Sequence, residues 1–244
     1  MKIVIVSHKR ADNVLTKRLF KHALICIPKS QEQDYKLHNP DMELLVHPDE
    51  IVGLSPKRQW IYERIGDQIQ VDDDILYITR VYQPAKCVVQ LTPEESEGLL
   101  HDVYHNAKEA GAKLFGLNCI ANPMAYSGAR PIAFNKFITG GCIGIMKDKN
   151  LYFPDYPTFT GEDCWINLLN AHFNRYSYID SRFAFAFDKT EKGKGGCADY
   201  RREEHRKETY IFLKKSFREG IKLKVPTSVK KFINKWEKTI QIPY

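Results

Sequence analysis

Apolar residues fall in short runs separated by polar stretches along this 244-residue chain. Residues 2–6 (KIVIV), 22–28, 42–47 and 68–71 have the length and β-branched content of buried strands. Residues 11–21 fit a helix. Ser55-Pro56 opens another, with an N-cap residue followed by proline at the first helical position, and it runs through KRQWIYERI to Gly66. Thr92-Pro93-Glu94-Glu95 is a capping box and predicts a helix reaching Gly111, with a strand over 114–120 after it. Strands alternating with helices in this way predict an α/β fold, a mostly parallel sheet flanked by helices.

The pattern is less regular in the second half. Residues 121–135 are polar, with Pro and Gly, and read as a loop. Residues 136–146 read as a strand interrupted by Gly140-Gly141 and Gly144, residues 160–174 as a helix, and 176–187 as a strand. Two basic helices are predicted over 201–218 and 225–238, separated near 220–224. No internal repeat and no clear linker stands out. The chain therefore reads as one domain over 1–200 carrying a basic helical extension, 201–244, packed on it.

Composition adds limits. At 43% hydrophobic and 27% charged, the chain can bury an ordinary globular core. No apolar run approaches the roughly eighteen residues that span a bilayer. The start, MKIVIVSHKR, lacks the apolar length and small-residue cleavage site of a signal peptide. The expectation is a cytoplasmic protein, with no membrane partner and no obligate protein partner. The six cysteines form no CxxC pair, which argues against a zinc framework or a disulfide scaffold and for reduced thiols. The net charge of +7 is uneven: residues 201–244 hold thirteen Lys/Arg against five Glu, so the excess lies in the last segment. A basic face suits a polyanion, nucleic acid first, although a Lys-rich helix also serves as a solvated surface.

The candidate chemistry begins at Asp72-Asp73-Asp74, directly after an apolar strand. Three adjacent carboxylates repel, so either water or a cation compensates them. If the backbone stays extended, Asp72 and Asp74 point to one side and Asp73 to the other. Two carboxylates on one side suit Mg²⁺ or Mn²⁺ shared with a ligand's phosphates, and a solvated acidic turn is the alternative. Ligands of α/β sheets lie at the carboxyl ends of strands. The first strand ends in Ser7-His8-Lys9-Arg10, and Lys57 and Arg58 fall in the first turn of the helix before the triplet strand, where cations oppose the helix dipole. Glu162 and Asp163 fall in the first turn of a helix that Thr160 can cap. Carboxylates there either stabilise the helix dipole or serve as a general base. Gly140-Gly141 allows a bulge or a close approach of backbone to ligand. Residues 188–196, DKTEKGKGG, read as a surface loop or as a basic lid over a diphosphate.

The strand-first βα rhythm with VDDDI at 71–75 resembles the nucleotide-sugar glycosyltransferases of GT-A (Rossmann-like) fold. The further run of the GG strand, TGEDCW at 160–165, the GKGG loop and a basic tail resembles the compact bacteriophage glycosyltransferases linked with TET-type oxygenases. That resemblance covers most of 1–210. It implies a metal-dependent enzyme that moves a sugar from a UDP-sugar to a hydroxyl of modified DNA, 5-hydroxymethylcytosine above all, with the target base flipped out. It implies Asp163 as catalytic base, with Glu162 holding a hydroxyl. It implies nucleotide-sugar contacts from Ser7, His8, Arg10, Arg58, Asp72, Asp73, Gly140, Gly141, Lys192 and Lys194. The Mn²⁺ or Mg²⁺ ligands implied are Asp74 and Asp72, completed by His205, with His172 as the alternative histidine. Rival readings are the same chemistry on a saccharide or protein acceptor, a nucleotidyltransferase, and a basic nucleic-acid-binding module without catalysis. SHKRADN, after the first strand, has no glycine for a nucleotidyltransferase's phosphate loop.

Overall fold

The structure is a computed structural model and describes residues 1–83, 89–188, 202–224 and 235–241. The 188–196 loop beyond Asp188, including Lys192 and Lys194, lies outside the described residues, as does most of the second predicted basic helix.

The fold is α/β, with helices covering a mixed sheet. In chain order the elements are β1 (Lys2–Val6), β2 (Leu24–Pro28), α1 (Glu32–His38), β3 (Glu43–His47), α2 (Leu54–Ile65), β4 (Gln68–Asp72), β5 (Ile75–Arg80), β6 (Val89–Gln90), α3 (Pro93–Glu109), β7 (Leu114–Asn118), β8 (Ile132–Ala133), β9 (Cys142–Ile145), α4 (Glu162–Phe173), β10 (Tyr178–Phe187), α5 (Glu203–Phe217), β11 (Ile221–Leu223) and β12 (Lys238–Ile240). The sheet order is β3-β2-β1-β4-β9-β7-β10-β5-β6, with β8 beside β10. It is parallel from β3 to β4, β9 runs antiparallel between β4 and β7, and β7 pairs parallel with β10.

Alternate side chains of each strand feed opposite layers. Ile3, Ile5, Ile25, Ile69 and Val71 join Tyr35 of α1 and Leu100, Val103 and Tyr104 of α3 in one core cluster. Val4, Val6, Leu24 and Cys26 meet Ile61 of α2 on the other face. Farther along that side, Ile143 and Ile145 pack with Trp165 and Ile166 of α4, Leu213 of α5 and Ile221 of β11.

Several local expectations change. Residues 11–21 form two 3₁₀ turns, Ala11–Asn13 and Leu15–Arg18, rather than an α-helix. Thr16 is drawn away from helical bonding: its amide donates to the Asp73 carbonyl (3.2 Å), while its hydroxyl donates to the Asp72 carbonyl (2.6 Å) and accepts from the Ile75 amide (2.9 Å). Ser55 does not cap α2, which starts one residue earlier. Gly53 (φ 92°) precedes it, and the Ser55 hydroxyl donates to the Pro154 carbonyl. The capping box of α3 forms as read. Where a gap between two basic helices is predicted, β11 instead pairs antiparallel with β12, so Lys238 is in a strand. Among the described residues no helix is long and apolar enough to cross a membrane.

Candidate active site

The carboxyl ends of β1, β2, β3 and β4 open into one cleft of about 510 Å³, within the size range of small-molecule sites. Ser7, His8 and Arg10 line it from the β1 end, Asp72, Asp73 and Asp74 from the β4 end, and Gly140, Gly141, Glu162 and Asp163 from the far wall. Residues from both acidic motifs thus face one space.

The triplet is not extended. β4 stops at Asp72, and Asp73 and Asp74 form a turn into β5, so the alternating arrangement expected of the three carboxylates does not hold. The turn is held on several sides. The Thr16 amide donates to the Asp73 carbonyl, the Asp188 amide to the Asp74 carbonyl, and the Asp72 amide to the Gly141 carbonyl. Asp73 is buried and committed to protein: its carboxylate accepts from the Ser7 hydroxyl (2.5 Å) and from Arg10 (2.7 Å). Ser7 also bonds the Tyr35 hydroxyl (2.7 Å), and that hydroxyl accepts from the Arg10 amide. Ser7, Arg10 and Asp73 therefore brace the floor.

Asp72 and Asp74 are more open, with 39% and 34% of their side-chain surface exposed. The Asp72 carboxyl is nonetheless held against Arg58 (2.9 Å). Burial pushes it up to about 6, against the pull of Arg58 and with a further push from Asp74 and Asp73. Asp74 is raised by burial and then by Asp73, with Arg10 (3.6 Å) opposing. Among the described residues no three His, Cys, Asp or Glu side chains form a metal cage. Asp72 and Asp74, which both line the cleft, are the two carboxylates that could take a hard cation, and water and phosphate oxygen would then be its other ligands.

Arg58 is not in the cleft. It is 1% exposed and lies behind the wall, where it donates to Asp72 (2.9 Å), the Gly140 carbonyl (2.8 Å) and Gln70 (3.2 Å), with its Nε 3.8 Å from Glu162. The reading of Arg58 as a nucleotide contact is corrected: it is a buried tie between the two acidic motifs. Its neighbour Lys57 lines the cleft and donates to the Ser7 carbonyl (2.7 Å). Gly140 and Gly141 precede β9 rather than interrupt it. A methyl group on Gly140 would stand 3.2 Å from Glu162 Oε1, and one on Gly141 would stand 2.5 Å from the Phe187 ring.

Glu162 and Asp163 open α4 as predicted, but the cap position is Gly161, and Thr160 turns instead towards α5. Glu162 is 8% exposed; burial, then Asp163, pushes its carboxyl up to about 7, against Arg58. Asp163 is more open, and its Oδ1 accepts from the Cys164 amide (2.7 Å). His205 lies in the first turn of α5 and is not among the residues lining the cleft. His172 is in the last turn of α4, about 15 Å along the helix from Glu162, and cannot share its site.

The sequence reading missed the β2–β3 end of the cleft, where Ser30, Gln31, His47 and Asp49 line it. Gln31 accepts from the Lys9 amide and bonds His8, holding Lys9 at φ 55°, a conformation uncommon outside glycine. Polar residues just after the second and third strands were the available signal. The family model described as TET-Associated Glycosyltransferase matches residues 1–196. No curated protein matches the chain.

Proposed function

Because the chain belongs to the TET-associated glycosyltransferase family and is thus an enzyme that transfers a sugar, we propose that it takes the sugar from a UDP-sugar and places it on a hydroxyl of modified DNA, most simply that of 5-hydroxymethylcytosine. The observation carrying this reading is that Asp72 and Asp74 share one cleft with Glu162 and Asp163. Transfer to an alcohol needs a held diphosphate at one place and a base at another, and the cleft offers a carboxylate pair for each.

Asp72 and Asp74 would hold Mn²⁺ or Mg²⁺, which supplies charge neutralisation to the departing diphosphate. Lys57 and the Ser7–Arg10 segment line the donor side with positive and hydrogen-bonding groups. Asp163, the more open of its pair, takes the proton from the acceptor hydroxyl as that oxygen bonds to the sugar carbon and the diphosphate leaves. Such a base contributes about 10²–10⁴-fold. Glu162, held close to neutrality in its pKa, donates to or accepts from a sugar hydroxyl beside it. The basic segment after residue 201 supports a DNA acceptor, since phosphate contacts supply much of any DNA affinity. A target base within a duplex would reach the cleft by leaving the stack.

The test incubates a panel of UDP-sugars with hydroxymethylated or unmodified DNA, with Mn²⁺, Mg²⁺ or EDTA, and weighs the product nucleosides. One added sugar on hydroxymethylcytosine alone, lost with EDTA, is expected. UDP release with no mass added to DNA would remove the DNA acceptor and leave the donor standing. Asp163→Asn is expected to abolish transfer while sparing UDP binding, and Asp74→Asn to weaken both. Equal, mild effects would overturn the assigned roles.

A further inference from the structure

The family match ends at residue 196, yet the turn that opens α4 is gripped by residues beyond it. Three polar groups of Thr160 are engaged from the C-terminal segment. Its amide donates to Thr209 Oγ1 of α5 (3.2 Å), its hydroxyl lies 3.4 Å from the same oxygen, and its carbonyl accepts from Lys238 Nζ of β12 (3.2 Å). Thr209 is 1% exposed, so this is an interior contact. The next residue is enclosed as closely. A methyl group on Gly161 would stand 2.9 Å from Thr209 Cγ2, 3.0 Å from Leu213 Cδ1 and 3.1 Å from Lys238 Cε. Behind the grip, Phe212 stacks on Trp165 of α4 with ring centroids 5.2 Å apart, and Phe217 meets the same ring edge-on.

We infer that Thr209 and Lys238 are positioning residues that set the Gly161–Asp163 turn from beyond the stretch that the family model matches. The inference rests on the proposed role of Glu162 and Asp163. Neither Thr209 nor Lys238 lines the cleft, so neither touches a bound donor there. Both act on the backbone from which the two carboxylates project. Thr160 lies two and three residues before them, and a small rotation there re-aims both. Misplacing a catalytic group by about 1 Å costs on the order of 100-fold in rate, so loss of either grip should lower turnover while leaving donor binding intact.

Thr209→Val keeps the shape and removes the hydroxyl, Lys238→Met keeps the length and removes the amine, and Thr209→Ser restores the hydroxyl. The full-length variants are assayed for sugar transfer, UDP affinity by calorimetry, melting temperature, and amide hydrogen exchange across residues 160–164. Expected are a fall in kcat of about ten-fold or more for the first two, with UDP affinity within about two-fold of wild type. Faster exchange at Thr160 is expected in Thr209→Val, and recovery of both properties in Thr209→Ser. Unchanged kcat, unchanged exchange, or a loss of kcat that only follows a loss of folded protein would overturn the inference. If the wild type modifies no DNA, the acceptor reading fails by itself; amide exchange needs no acceptor and still decides whether the grip exists.

Discussion

Gly141 has the Phe187 ring where a side chain would go, and its carbonyl accepts from the Asp72 amide. Gly141→Ala must move the ring or the strand end. Overpacking of this kind costs about 1–3 kcal/mol, and a shift of β4 displaces Asp72 with it. A fall in melting temperature together with weaker UDP binding is expected; a variant with wild-type values in both would show that the ring simply swings aside. His47 is 2% exposed, its Nδ1–H donates to the Pro48 carbonyl, and its Nε2 has no hydrogen-bond partner among the described residues. Burial, then Lys57, pushes this imidazole down to about 4. Above about pH 6.5 folded and unfolded chains both hold it neutral. Between there and pH 4 the unfolded chain takes a proton that the folded chain refuses, so stability falls as pH falls. The loss is on the order of 2 kcal/mol at pH 5. Urea denaturation at pH 7.5 and pH 5 should show that slope in the wild type and a smaller one in His47→Gln; identical slopes would mean that His47 titrates normally.

At the scale of elements, α2 joins the two halves of the site. Arg58 reaches β4 through Asp72, the turn before β9 through the Gly140 carbonyl, and α4 through Glu162. Arg58→Met takes the donor from Asp72 and the Gly140 carbonyl and the cation from beside Glu162. Breaking a buried pair costs about 3–5 kcal/mol, towards the lower figure here because Asp72 is partly solvated. Denaturant midpoints measure this, and a loss below about 1 kcal/mol would mean that Arg58 does not tie these elements. The sequence carried the positions of β1 to β4, of α2, α3 and α4, and of both acidic motifs, because apolar runs, a capping box and first-turn carboxylates are local signals. It did not carry α1: EQDYKLH buries only Tyr35 and has no apolar stripe to read. Nor did it carry β5, because the triplet reads as the end of a strand, and only the partners of ILYITR in β10 and β6 show that the chain turns and continues. Arg58 on a first turn looks like a surface cation; its burial arises from strands and turns distant in the chain.

Across the whole molecule, the basic excess of the last segment is the feature that composition reported most directly. Lys215 and Lys222 are exposed, so they are candidates to meet phosphate. Replacing both with Gln should weaken DNA binding for any base sequence and reduce the salt slope of log K by about 2. Affinity measured between 50 and 200 mM salt, roughly the range over which such contacts are lost, reads this out, and an unchanged slope would place the DNA elsewhere. Composition could not show that the same segment also faces inward, since Thr209 and Lys238 are ordinary polar residues until the chain brings them to Thr160. That inward face limits how this enzyme can be recombined. A chimera keeping 1–196 and borrowing another tail to change how tightly DNA is held would also exchange the hydroxyl and the amine that seat Thr160. Its turnover would then depend on whether the graft happens to carry equivalents, so DNA affinity and speed would be exchanged together.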